Sequence, residues 1–186
     1  MTSLSTGTAL VLHDLGLAAG FGGSLFGKVA LNPAVKLIPS EEQRGKVSDA
    51  AWTGYSWINA LSFGTAAATW FVGRTRVSGR EISRGTHQWV VVKDFLMGST
   101  VALNAANIVA GRMLAAEAEK HEVPLKSGDT ASKNMPPTAA ALTRLVHVAG
   151  ILNLVAAAGV IVVTGILNTS AGRSHRWSVM SRFFLP

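Results

Sequence analysis

The chain of 186 residues contains no cysteine. Disulfides, thiolate metal sites, iron–sulfur clusters and cysteine nucleophiles are therefore excluded. Charged residues are scarce, since they make up 15% of the chain against roughly 25% in an ordinary soluble domain. Hydrophobic residues make up 48%, which is enough apolar surface to exclude disorder. This composition is not that of a typical cytosolic enzyme.

Catalytic motifs are also absent from the sequence. The run GFGGSLFG at 20–27 holds close glycines and a serine, but it lies inside an apolar segment. It does not join a strand to a helix, so it is neither a phosphate loop nor a nucleophile elbow. No HExxH motif or EF-hand loop occurs. We therefore predict a protein that is not an enzyme and holds no cofactor.

Four apolar segments are each long enough to cross a hydrocarbon layer, which takes about 20 helical residues. They cover residues 8–31, 50–73, 89–111 and 145–172. The alternation that strands of a membrane barrel would show is missing. The sequence therefore predicts an all-α, polytopic membrane protein. Its single domain, residues 1–186, would be an antiparallel bundle of four transmembrane helices.

The connections carry most of the charge. Residues 112–144 form the longest polar connection, and within it Ser127–Pro137 is predicted to be flexible. Basic residues are densest in the loop at 74–88 and in the tail at 173–186, which favours cytoplasmic positions for both termini. The net charge of +7 lies between long apolar segments. It therefore indicates basic loops that contact anionic lipid headgroups rather than a surface that binds nucleic acid. The tail is basic and amphipathic, which suits contact with anionic lipid or with other membrane subunits.

Each predicted span carries one stripe of small and polar residues. The stripe on the first span, here called the glycine stripe, consists of Gly16, Gly20, Gly23 and Gly27. The stripes on the other spans include Asn59, Asn104, Asn107 and Asn153. In lipid such stripes turn toward one another. They either hydrogen-bond the helices together or bind and conduct a solute.

Ionisable residues near the starts of the first and third spans form one candidate site. They are His13, Asp14, Lys93 and Asp94. Because the two spans cross in the same direction, these groups share a depth near the cytoplasmic face. They either act as an intramembrane ionisable cluster or lean toward the headgroups in ion pairs.

Arg144 and His147 form a second candidate site, since they lie three residues apart on one helical face at the opposite end. We expect Glu117 or Glu119 to approach Arg144, because an unpartnered arginine at a span boundary would lean outward to the headgroups. The helical extension that carries these glutamates would then shield His147 from water.

A haem or metal site is the least favoured interpretation. The first and fourth spans place His13 and His147 at different depths, which argues against a haem held by both histidines. A haem held by a single histidine, or a transient copper site at His13 with Asp14, remains as an alternative.

Three stretches of the chain resemble a known family. They are HDLGLAAGFGGSLFGKVALNPAV, EEQRGKV and LTRLVHVAGILNLVAAAGV, and they contain His13, Gly22, Gly23, Pro33, Ala34, His147 and Asn153. The chain is similar over nearly its whole length to the small four-span family that includes transmembrane protein 205 and bacterial relatives of unknown function. The resemblance implies a four-span protein of a cell membrane, such as the bacterial one. It brings no reaction, cofactor or catalytic residue.

Two functional hypotheses follow. The first is a non-enzymatic accessory or scaffold subunit of a larger membrane complex, because apolar faces are exposed and the tail suits a partner surface. The alternative is a small transporter or ion-handling protein that uses the polar stripes. It requires the ionisable cluster at His13, Asp14, Lys93 and Asp94 to face the interior.

Overall fold

The computed structural model describes residues 2–77, 84–120 and 123–184, and the side chains among them at 7–73, 87–120 and 123–169. Most of these residues are helical. The long helices are α1 (Thr2–Phe26), α3 (Glu41–Val77), α4 (Arg84–Ala118) and α5 (Pro137–Phe184). The shorter elements are a π-helical turn (Gly27–Leu31), α2 (Asn32–Val35), and strands β1 (Leu125–Ser127) and β2 (Thr130–Ala131).

The first helix does not run straight into the loop. It widens into the π-helical turn, in which the backbone N–H of Asn32 donates to the carbonyl of Gly27. Pro33 follows in the first turn of α2, where its missing N–H costs no intrahelical bond. Such wide turns are frequent at functional sites, and this one carries Lys28.

The glycine stripe lies against α3. A Cβ atom at Gly16 would lie 2.5 Å from the carbonyl oxygen of Ser62, and one at Gly23 would overlap the hydroxyl of Tyr55. That hydroxyl lies 3.0 Å from the carbonyl oxygen of Gly20. Glycine therefore allows the two helices to approach at backbone distance, as in close-packed membrane helices.

The helices form two pairs, with α1 against α3 and α4 against α5. The pairs meet at an apolar cluster, here called the core cluster. Its members are Leu17, Phe63, Ala66, Ala67, Met97, Ala157 and Val160. Since the four long helices all contribute to it, the cluster ties the two pairs together.

Large apolar side chains are exposed on the surface, and several polar side chains are buried beside the apolar core. Phe95 and Val155 are 74% and 65% exposed, whereas Asn104 and Asn153 are 6% and 3% exposed. Within the described residues, two helical segments are long and apolar enough to cross a membrane, Gly7–Val35 and Pro137–Thr169. Helices α3 and α4 carry more charged residues than these two segments, among them Lys93 and Asp94 of α4, which lowers their mean hydropathy.

The prediction that Ser127–Pro137 is flexible is wrong. Strands β1 and β2 pair as an antiparallel hairpin, and its turn docks onto the helices. The N–H of Gly128 donates to the carbonyl of Asn32 at 3.1 Å, and the hydroxyl of Ser48 donates to the carbonyl of Gly128 at 2.6 Å. Strand β1 contacts α3 and strand β2 contacts α5, so the hairpin bridges the two helix pairs.

Candidate functional site

A cavity of about 810 Å³ lies between the α1–α3 pair and the α4–α5 pair. None of the core-cluster residues lines it. Phe63, which follows Asn59 by one helical turn, is 1% exposed in that cluster. The cavity is therefore closed on the side of the chain termini and extends toward the end that carries the hairpin.

The inner part of the cavity is lined by uncharged polar side chains, here called the amide floor. They are Ser24, Tyr55, Asn59, Asn104, Asn107 and Asn153. The amide of Asn59 donates to the side-chain oxygen of Asn104 at 2.9 Å. This bond joins α3 to α4 across the floor.

Two acceptors of the amide floor lack partners. The side-chain oxygens of Asn107 and Asn153 are buried and have no hydrogen-bond partner among the described residues. A buried polar atom left in this state costs about 1–3 kcal/mol. Both residues line the cavity, so a solute or water inside it would satisfy them.

Three ionisable side chains, here called the mouth triad, meet at the outer part of the cavity. Lys28 Nζ lies 2.5 Å from Asp129 Oδ2, and His147 Nδ1 lies 3.0 Å from the same oxygen. Lys28 Nζ is also 3.0 Å from His147 Nδ1. These contacts join α5, the hairpin and the π-helical turn at one point.

Burial and the two partners, Lys28 and His147, set the pKa of the Asp129 carboxyl. Partial burial works to raise the pKa of Asp129. The hydrogen bond and charge of Lys28, together with those of His147, outweigh this effect and hold that pKa below its usual value. The carboxylate therefore remains ionised and keeps its two partners over the ordinary pH range.

Charged side chains of both signs line the outer part of the cavity, including Lys28 and Asp129 of the mouth triad. Among the described residues, four basic side chains and four acidic ones contribute. They are Lys28, Lys46, Arg112, Lys120, Glu42, Asp49, Glu119 and Asp129. Lys46 pairs with Glu42, as Lys28 does with Asp129. Apart from His147, which adds a positive charge only when it is protonated, the mouth has no excess of one sign that would favour anions or cations.

The ionisable cluster predicted at the other end is only partly assembled. His13 and Lys93 are each 2% exposed, and both lie beside Trp70. Lys93 Nζ lies 3.8 Å from the centre of the Trp70 ring, and the indole N–H of Trp70 donates to Asp94 at 2.8 Å. Asp14, in contrast, is exposed. The sequence analysis missed Trp70, which organises this end.

His13 is held by the backbone of α3. Its Nδ1 lies 2.7 Å from the carbonyl oxygen of Ala66, so Nδ1 carries the proton in this contact. The other ring nitrogen, Nε2, is buried with no partner among the described residues. The core cluster separates this end from the amide floor, so His13 belongs to a different site.

The structure does not pair Arg144 with its predicted partners. Arg144 is exposed, and the structure gives it no ion pair with Glu117 or Glu119. Glu117 lies 3.8 Å from Lys120 instead. Arg144 and His147 therefore do not form one site, because His147 lines the cavity and belongs to the mouth triad.

The two histidines considered for haem lie far apart along the bundle. His147 of α5 contacts Lys28 in the π-helical turn that follows α1, and positions 13 and 28 are roughly 22 Å apart along the helix axis at about 1.5 Å per residue. No group of three or more His, Asp or Glu side chains suited to a metal ion occurs in the described part of the chain.

The hairpin and Asp129 were missed by the sequence analysis, although a signal was present. Gly128 and Asp129 stand between LKS and TA, and a Gly-Asp pair between two short extended runs is typical of a two-residue hairpin turn. The strands are only three and two residues long. The flanking polar residues obscured them.

Comparison with protein-family models, with curated proteins and with solved structures finds no match to this chain. The resemblance to the small four-span family stays a prediction.

Proposed function

We propose that the chain is an integral membrane protein in which the four long helices all span the bilayer, and that it carries a small polar solute through the cavity. The observation that supports this most is the amide floor, a polar and uncharged cavity lining inside a molecule with an apolar exterior. The protein would be a small transporter without enzymatic activity.

The exposed apolar faces support membrane embedding of all four helices. Leu15 of α1, Leu61 of α3, Phe95 of α4 and Val155 of α5 are each at least 60% exposed. In water, large exposed apolar faces on every helix would be strongly unfavourable. The polar residues that lower the hydropathy of α3 and α4 include Asn59 and Asn104, which point at one another inside. In lipid this distribution is the favourable one.

The direction of the cavity and the proposed orientation together predict the side of the membrane from which a solute enters. The cavity extends toward the hairpin, at the end opposite the chain termini. With both termini in the cytoplasm, solute would enter from the outer side of the membrane. The core cluster would be the barrier that has to open for passage to the other side.

The accessory-subunit hypothesis depends on different residues. It is based on exposed apolar faces, which lipid would cover equally well, and on the tail at 173–186, whose side chains lie outside the described residues. Contact with other membrane subunits and with anionic lipids stays a prediction. The cavity favours a transporter that uses the amide floor, because packing alone does not require unpartnered amides around an open space. The form of the hypothesis that required His13, Asp14, Lys93 and Asp94 all to face the interior is not met, since Asp14 is exposed.

Replacing Asn153 by leucine is expected to abolish most solute passage. Leucine has the same branched side-chain skeleton as asparagine and a somewhat larger volume but no hydrogen-bonding group, so the cavity loses one polar anchor. Loss of hydrogen bonding worth about 1.4 kcal/mol corresponds to about tenfold. The measurement is the swelling rate of proteoliposomes under gradients of glycerol, glucose, glycine and choline chloride.

The matched control is Asn168→Leu. This residue lies on the same helix, is exposed and does not line the cavity, so its rates should equal those of the unmodified protein. The proposal fails if no solute enters these proteoliposomes faster than it enters protein-free liposomes. It also fails if both substitutions change the rates equally.

A further inference from the structure

We infer that the cavity binds an uncharged, polyhydroxylated solute. This inference rests on the proposed function and names the solute class that the same site would take. It is derived from the charge, hydrogen-bonding capacity, aromatic lining and size of the cavity.

Charge excludes ions from the inner cavity. The amide floor consists of amide and hydroxyl side chains and carries no formal charge. An ion that reached it would lose much of its hydration without meeting a counter-charge, which is unfavourable inside a bilayer. The charged side chains stand further out, in equal numbers of each sign, and the innermost of them, Lys28, is already paired with Asp129.

Hydrogen bonding favours hydroxyl groups. The buried oxygens of Asn107 and Asn153 have no partner in the described part of the chain, so the floor presents acceptors in need of donors. The hydroxyls of Ser24 and Tyr55 lie in the same lining, and the Tyr55 hydroxyl, which donates to the carbonyl of Gly20, can still accept a hydrogen bond. A solute hydroxyl both donates and accepts, so it can satisfy either end of an asparagine amide as well as these hydroxyls. A carboxylate only accepts, and it would leave the two oxygens unpartnered.

Aromatic rings complete the match. Trp52 and Tyr55 line the cavity beside the amides, with their ring centres 6.0 Å apart in an edge-to-face arrangement. Their polar atoms are engaged with the protein, since Trp52 Nε1 donates to Asn32 at 3.1 Å. The ring surfaces therefore remain as apolar contacts for the C–H faces of a polyol.

The volume agrees with an organic solute. A cavity of about 810 Å³ lies within the range of small-molecule sites, roughly 300–1,000 Å³. A single inorganic ion would leave most of that space to water, whereas a polyol with several hydroxyls could contact more than one amide at a time.

The test compares solutes related to glucose that differ in charge or in hydrogen-bond donors. The probes are glucose, the anion gluconate, the cation glucosamine, and glucose with every hydroxyl methylated, each titrated against the purified full-length protein by calorimetry. Glycerol, xylitol and myo-inositol extend the uncharged series. We expect at least one uncharged polyol to bind at least about tenfold more tightly than gluconate and glucosamine. Asn153→Leu should remove this binding, and Asn168→Leu should retain it.

Three results would overturn the inference. They are preference for gluconate or glucosamine, equal binding of methylated and free glucose, and no polyol binding at all. These outcomes are separable from failure of the proposed function. Rapid swelling with glycine or choline chloride but without polyol binding would leave transport intact and refute only the solute class. Polyol binding without swelling would support the solute class and refute only the proposed transport.

Discussion

Replacement of Gly16 by valine is expected to lower the free energy of unfolding by about 3 kcal/mol, the upper end for overpacking of a close contact. A Cβ atom at this position would lie 2.5 Å from the carbonyl oxygen of Ser62 and 3.1 Å from the backbone nitrogen of Ala66. Both atoms belong to the main chain of α3, so no side-chain rotation relieves the overlap. The measurement is denaturant-induced unfolding of the purified protein in mild detergent, followed by circular dichroism.

Gly22→Val is the matched control for this substitution. Gly22 lies on the same helix, and a Cβ there would meet nothing within 4 Å. The two variants share the change in helix propensity, which is under about 1 kcal/mol, so their difference measures the contact with α3. Equal losses of stability in both variants would contradict the close approach of α1 and α3.

Asp129→Asn is expected to destabilise the protein by about 2 kcal/mol, the scale of a hydrogen bond to a charged group. The substitution removes the charge that Lys28 and His147 share at 2.5 Å and 3.0 Å. It also loosens the hairpin, which bridges the two helix pairs at this end. Denaturant unfolding measures the loss. Glu42→Gln is the control, because its pair with Lys46 is far more exposed and should contribute less than about 1 kcal/mol.

The pH dependence identifies the carboxylate as the source of this effect. The pKa of Asp129 lies below its usual value of 3.8, so its contribution is fully present above that value. It is lost as the pH falls through the lowered pKa. The stability difference between the unmodified protein and Asp129→Asn should therefore still be present at about pH 5 and shrink below about pH 4. A difference that disappears near neutral pH would assign the effect to another group.

The sequence identifies the helices and the faces they present, because apolar runs and helical spacing are local properties. The glycine stripe and the asparagines Asn59, Asn104, Asn107 and Asn153 could be placed on faces in this way. The distance between those faces could not be predicted. It depends on the hairpin between the helix pairs, whose turn is held by Asn32 and by Ser48, distant residues in the sequence.

The mouth triad shows the same limit. Lys28 and Asp129 are 101 positions apart. The acidic residue of the 112–144 connection that pairs with Lys28 can be identified only when the fold of that connection is known. Burial of Leu125, Met135 and Ala139 under the hairpin fixes that fold. Glu117 and Glu119 lie closer in sequence to the third predicted span than Asp129 does, but it is Asp129 that pairs with Lys28 and His147.

The most direct test of the central claim asks whether the cavity holds water inside the bilayer. Because the chain has no native cysteine, Ser24→Cys and Val155→Cys each give a single thiol. Ser24 lines the cavity, whereas Val155 is 65% exposed on the apolar exterior. A charged, membrane-impermeant methanethiosulfonate reagent is added to one side of oriented proteoliposomes. The proposed structure predicts that the thiol at position 24 reacts from the side opposite the chain termini and that the thiol at position 155 reacts from neither. Reaction at position 155 equal to that at position 24, or no reaction at position 24 from either side, would contradict it.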